Sequence, residues 1–266
     1  MNAFEYRRPA TLAEAVSAMA ALGGAKLLAG GQTLIPAMKL RLNRPDAIVD
    51  LSGIAGLNGI AREGDTLVIG AMATHAEIAS SQAVASAIAG LAELAEGIGD
   101  PQVRNRGTIG GSLANNDPAA DYPAAVLTLD ATLKTTKRMI GAGDFFRGLF
   151  STALADDEIL KEIAFPLPKR FAYAKFPNPA SRFALVGVAV AQTASGARVA
   201  VTGAGAGGVF RVPVMEVALS KSFTADALKG IAVDASDLTG DIHAGADYRA
   251  HLIGVMAKRA VQAALG

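Results

Sequence analysis

The sequence predicts an α+β chain, with alternating elements at its start and segregated ones at its end. Three observations carry this. The first 50 residues alternate strand and helix. Glycine pairs mark loops, one ending a strand at Gly30-Gly31 and one at Gly110-Gly111 in the polar stretch 99–123. After Pro166 and Pro168, three β-like runs precede three helical ones. Of 266 residues, 51% are hydrophobic and 18% charged, which excludes long disorder and allows two domains.

Each element has its own signal. Phe4–Tyr6 reads as a short strand. Thr11-Leu12-Ala13-Glu14 is a capping box opening a helix over 11–22, which Gly23-Gly24 stops. Lys26–Leu28 is a strand running into Gly30-Gly31; a helix over Leu34–Leu40 and a strand over Ala47–Leu51 follow. Leu57–Ala61 and Thr66–Ile69 pair around the turn Glu63-Gly64-Asp65. Thr74-His75-Ala76-Glu77 is a second capping box, for a helix into residue 79, and the Ala-rich stretch 83–97 has helical periodicity. Val126–Thr136 and Lys161–Phe165 read as strands, with a helix at about 144–150 between them. Past the boundary placed at Pro166–Pro168 come the β-like runs Phe171–Phe176, Ala184–Gln192 and Arg198–Val201. Helices at about 213–219, 224–229 and 246–264 complete a small antiparallel sheet backed by helices.

Composition excludes several functions. There is no cysteine, hence no disulfide, no catalytic thiolate and no iron–sulfur cluster held by this chain. His75, His243 and His251 are too scattered for a metal site. A net charge of +1 gives no field for nucleic acid. No apolar run reaches the ~18 residues of a membrane span. Arg7-Arg8 is followed by Pro9 and a capped helix instead of a signal h-region, so a cytoplasmic location is expected.

Two glycine loops are suited to binding. They are Ala29-Gly30-Gly31-Gln32-Thr33, between a strand and a short helix, and Thr108-Ile109-Gly110-Gly111-Ser112. Paired glycines let main-chain N–H groups converge, a strand-to-helix turn adds a helix N-terminus, and the hydroxyls of Thr33, Thr108 and Ser112 add donors. Such a surface fits a diphosphate; the alternative for each loop is a tight turn or helix cap. Gly203–Gly208 also matches G-x-G-x-x-G, yet Val209–Val212 reads extended, so the helix a dinucleotide fingerprint requires is missing. No P-loop is present.

At these loops the sequence resembles a known family. Leu28–Lys39 is similar to the first flavin loop of the FAD-binding (medium) subunits of molybdenum hydroxylases, those of carbon monoxide and xanthine dehydrogenases above all. Asp100–Ser112, continuing as Asp117–Ala124, resembles their second loop. Phe4–Pro9 and Pro179–Ala184 look like the same family. The resemblance implies a two-lobed, vanillyl-alcohol-oxidase-like (PCMH-type) FAD-binding domain over 1–165, with lobes at about 1–53 and 54–165. A C-terminal domain would cover 168–266.

It implies that Ala29, Gly30, Gly31, Gln32, Thr33, Thr108, Ile109, Gly110, Gly111 and Ser112 contact FAD. Asp121 would lie near the ribityl or diphosphate hydroxyls, and Leu160 and Lys175 near the isoalloxazine edge. Phe183 would stand where relatives carry a tyrosine beside the ring. Two bland alternatives remain: a core aromatic for Phe183 and a solvated surface lysine for Lys175. Gln32-Thr33 departs from the His-Ser usual in the first loop, and with no Cys or His in the loops the flavin is expected to be non-covalent. The resemblance also implies partners: a small subunit with two [2Fe-2S] clusters and a large molybdopterin subunit, in a dimer of heterotrimers. The chain itself would have no acid–base catalytic residue. Rival readings are a stand-alone flavoenzyme of this fold and a non-enzymatic binding module. His75, inside its capping box, reads as structural, while Arg104 and Arg106 would bind phosphate or dock a partner.

Overall fold

A computed structural model describes residues 1–266. The chain opens with β1 (Glu5–Arg7), α1 (Leu12–Ala21), β2 (Ala25–Leu28), α2 (Leu34–Lys39) and β3 (Ala47–Asp50), followed by a 3-10 turn over Leu51–Gly53. Helical crossovers demand parallel pairing, and the three strands form a parallel sheet in the order β1-β3-β2. Thr11 caps α1 by accepting from Glu14 N. The Glu14 carboxylate accepts from Ala10 N, one residue short of a full capping box.

Next come β4 (Ile60–Glu63), β5 (Thr66–Gly70), α3 (His75–Ser80), α4 (Gln82–Ala87), α5 (Ala89–Glu96), α6 (Pro101–Arg104), α7 (Ile109–Asn115) and α8 (Tyr122–Thr128). They are followed by β6 (Thr132–Thr135), β7 (Met139–Gly141), α9 (Ala142–Phe145), β8 (Phe146–Gly148), β9 (Ser151–Thr152) and β10 (Leu160–Pro166). Strands β4-β5-β10-β6-β7 form an antiparallel sheet, and β8 and β9 a small hairpin.

The last part holds β11 (Arg170–Pro177), β12 (Ala184–Thr193), β13 (Gly196–Thr202), β14 (Phe210–Arg211), α10 (Pro213–Lys221) and α11 (Ala246–Leu265), with a 3-10 turn at Ala225–Leu228. Its four strands form an antiparallel sheet in sequence order. The two faces of β12 serve two cores, as a period of two requires. Ala189 and Ala191 join the large core around α3, α5, α7 and α8, while Val186, Val188 and Val190 pack with α10 and α11.

Four expectations need correction. Val126–Thr136 is not one strand: residues 122–128 are α8, and β6 starts at Thr132. Every residue of α8 is buried because the helix lies between the third sheet and helices α5, α7 and α9, so its apolar run has no periodicity to separate helix from strand. Asp130, at φ +54, makes the turn between them. The helix at 144–150 is a single turn, α9, followed by the hairpin. The stretch 83–97 breaks at Ile88 (φ −145), and Gly90 lets α5 approach the backbone of Phe171 and Ala172. The helix at 224–229 is the 3-10 turn. At Gly203–Gly208 no helix opens; Gly203 and Gly208 take positive φ, and Gly203 N donates to Pro118 O.

Candidate functional site

The two glycine loops, more than seventy positions apart in the chain, meet in the structure. A Cβ on Gly30 would overlap the Arg106 carbonyl oxygen and come within 2.7 Å of Gly107 Cα. A Cβ on Gly111 would stand 3.2 Å from that of Ala29. Gly30 and Gly111 are therefore needed for loop-to-loop packing, while Gly31 and Gly110 leave room for Ile35 and Ala71.

Both loops line one cavity of about 1060 Å³, at the upper end of the roughly 300–1,000 Å³ typical of small-molecule sites. Its wall includes Ala29, Gly30, Gly31, Gln32, Thr33, Thr108, Gly110, Gly111, Ser112, Asp121, Leu160 and Phe183. The loops contribute differently. The amides of Gly30, Gly31, Gln32 and Thr33 donate to no atom of the chain, and the Thr33 hydroxyl makes no cap bond. Gly31 takes φ +72, which turns the strand end of β2 into α2. In the second loop four of the five amides are already bonded: Ile109 to Ala73 O, Gly110 to Ala71 O, Gly111 to Thr108 Oγ1 and Ser112 to Thr108 O. The first loop therefore offers free donors, and the second offers a close, side-chain-free surface against them.

Two of the named residues lie off the wall. Ile109 is fully buried in the large core, because the first residue of α7 points its side chain inward. Lys175 Nζ donates to Gly97 O (2.8 Å) and pairs with Asp121 Oδ1 (3.0 Å), its side chain 11% exposed. Lys175 is therefore not a solvated surface lysine, and two of its three N–H donors are committed. The same Asp121 oxygen accepts from the Tyr173 hydroxyl (2.6 Å). Burial pushes the Asp121 carboxyl up, and Lys175 and Tyr173 oppose that shift. Gly187, opposite Lys175 on β12, leaves the room that the Tyr173 hydroxyl occupies. Phe183 is 48% exposed on the cavity wall, so it is not a core aromatic.

The flanking residues hold the second loop in place, and His75 also lines the cavity. Thr74 and Glu77 form a complete capping box, which His75 follows as the first residue of α3. The His75 amide donates to Gly107 O, and Thr74 pairs with Thr108, so this cap carries the second glycine loop. Burial lowers the His75 pKa to about 4, with Arg104 adding to the effect. Its Nδ1 has no partner, and its ring stands 5.4 Å from that of Tyr122. Arg104 is committed to Ile98 O, Gly99 O and Glu96. Sequence reasoning missed Phe150, which reaches the wall from the β8–β9 hairpin; one phenylalanine in a loop has no local signal to mark it.

Residues 2–168 match the model of the FAD-binding domain in molybdopterin dehydrogenases, well over half of the chain. The chain belongs to this family. It is similar to the medium chain of carbon monoxide dehydrogenase from Hydrogenophaga pseudoflava, at 39% identity over 98% of this chain and 96% of that one. The medium subunit of nicotine 6-hydroxylase from Paenarthrobacter nicotinovorans is 33% identical over 98% and 97%. Among solved structures, reconstituted carbon monoxide dehydrogenase from Oligotropha carboxidovorans superposes with a TM-score of 0.91 at 33% identity, covering 99% of this chain and 98% of that one. The family and the cavity agree on chemistry. Unpaired main-chain donors beside a glycine surface suit the diphosphate of a dinucleotide.

Proposed function

We propose that the chain is the FAD-binding, electron-transferring subunit of a molybdenum hydroxylase. The carrying observation is the run of unpaired amides at Gly30–Thr33, pressed against a second glycine loop in a dinucleotide-sized cavity. These amides, with the Thr33 hydroxyl, would hold the diphosphate. Asp121, fixed by Lys175 and Tyr173, would accept a hydroxyl hydrogen bond from the cofactor. Leu160 and Phe183 would supply apolar surface for the ring. When bound, FAD supplies the redox chemistry, and the protein supplies position and electrostatics. The flavin would be non-covalent.

In this reading residues 1–165 form a two-lobed PCMH-type domain and 168–266 a C-terminal one. Electrons arrive from the [2Fe-2S] clusters of a small subunit, downstream of a molybdopterin large subunit, and leave to an external acceptor. The assembly is a cytoplasmic dimer of heterotrimers. No helix is long and apolar enough to cross a membrane.

Co-expression with genes for a molybdopterin large subunit and an iron–sulfur small subunit of this family tests the reading. The expected product is a complex with flavin absorbance that acid precipitation releases as free FAD. A colourless chain, alone and in complex, would overturn it. Turnover by the chain alone with a small organic donor would favour a stand-alone flavoenzyme instead.

A further inference from the structure

We propose that Phe150 is an aromatic face for the flavin's isoalloxazine ring and that Asn116 is the positioning residue that holds it there. The proposal rests on the reading of the cavity as a FAD site. Phe150 is 61% exposed, lines the cavity and belongs to no hydrophobic core. Its φ is +53, a left-handed conformation that is unfavourable for a bulky side chain and persists only where the surroundings impose it. Here the β8–β9 ladder closes the tip, and one buried residue fixes it from outside. Asn116 is 3% exposed and itself left-handed (φ +44) at the end of α7. Its Nδ2 donates to Gly148 O (2.7 Å) and Ser151 O (2.8 Å), and its carbonyl accepts from Phe150 N (3.1 Å). A buried asparagine thus grips both sides of a strained hairpin tip whose exposed side chain lines the cavity.

The location fits the ring. Thr108, in the second glycine loop, is the N-cap of α7, and Asn116 is its C-cap. The eight steps from Thr108 to Asn116 at ~1.5 Å each separate the two ends by about 12 Å, on the order of the reach from diphosphate across the ribityl chain to the isoalloxazine ring. Three residues beyond Asn116, the carbonyl of Ala119 accepts from Ala184 N, which anchors the neighbouring Phe183 to the same short loop. Two exposed aromatic side chains therefore hang from the two ends of residues 116–119, at the end of α7 away from the glycines. A planar π system packs favourably on such faces in offset or edge-on geometry.

The test substitutes Phe150→Trp, Phe150→Leu and Asn116→Asp in whichever assembly retains flavin. A tryptophan touching isoalloxazine quenches its excited state by electron transfer, while one beside the adenine does not. Phe150→Trp is expected to cut emission per bound flavin at least about tenfold relative to wild type, and Phe150→Leu to weaken FAD binding about tenfold. Asn116→Asp, which keeps the shape and removes the N–H donors, is expected to reproduce the Phe150→Leu loss of affinity. Full flavin occupancy with unchanged emission lifetime in Phe150→Trp would overturn the assignment and leave the FAD reading intact. Loss of subunit association with unaltered FAD affinity in Phe150→Leu would make Phe150 a docking residue and overturn it as well. Absence of bound flavin in the wild-type protein would remove both readings.

Discussion

At the scale of single residues, the site depends on side chains that are missing as much as on those present. Gly30→Ala places a Cβ against the Arg106 carbonyl, so the loops must part. Overpacking of this kind costs about 1–3 kcal/mol, and here it also separates the donors from the glycine surface. The expected outcome is a lower Tm and FAD content well below that of the wild type, read by absorbance. Asp121 and Lys175 form a buried pair, and removing one partner of such a pair costs roughly 3–5 kcal/mol. Lys175→Met is expected to lower the urea midpoint and to raise the Asp121 pKa further, which carboxyl NMR titration can follow. His75 is held neutral by burial, its pKa lowered from 6.5 to about 4. Between these values the unfolded chain binds the extra proton, so its contribution is complete above pH 6.5 and is lost as the pH falls to about 4. The full loss approaches about 3 kcal/mol. Denaturation curves across this range should show a loss that His75→Gln reduces; an unchanged pH profile in that variant would reject the assignment.

At the scale of elements, caps and turns aim the loops. The α3 capping box is complete: Thr74 Oγ1 accepts from Glu77 N, and the Glu77 carboxylate accepts from Thr74 N and from Asn58. Thr74→Ala is expected to lower stability by about 1 kcal/mol in equilibrium unfolding. Because Thr74 also pairs with Thr108, FAD affinity should fall with it. This element was legible in the sequence, since a capping box is a local pattern of four residues. The short helix Leu34–Lys39 and the strands of the third sheet were legible for the same kind of reason, as periodicity bounded by Gly or Pro. The β8–β9 hairpin was not. Its conformation is imposed by Asn116, more than thirty residues away, and Phe145–Phe150 alone is compatible with a helical turn.

At the scale of the molecule, α8 couples the sheets. It packs directly on β12 and β13 of the third sheet and, through α5, α7 and α9, shares one core with the five-stranded sheet. A chain ending at residue 165 would expose that face of α8 and α5, and is expected to aggregate where the full chain stays monodisperse in size-exclusion chromatography. A well-folded, soluble fragment would show that the third sheet is dispensable to the core. The buried Arg249 works in the same direction, donating to Leu185 O, Gly203 O and Ala244 O while pairing with Asp241. It ties α11 to the loop that receives Pro118 and hence to the cavity rim.

The order of most elements, the two glycine loops and the absence of cysteine chemistry were determined by sequence alone, because each is a matter of local conformation or of inventory. Tertiary structure decided which amides stay unpaired, that Lys175 serves Asp121, and that Phe150 reaches the cavity. Those outcomes depend on which distant atoms satisfy each donor and carbonyl, and a hydrogen-bond partner tens of residues away leaves no mark on the spacing of the residues it holds.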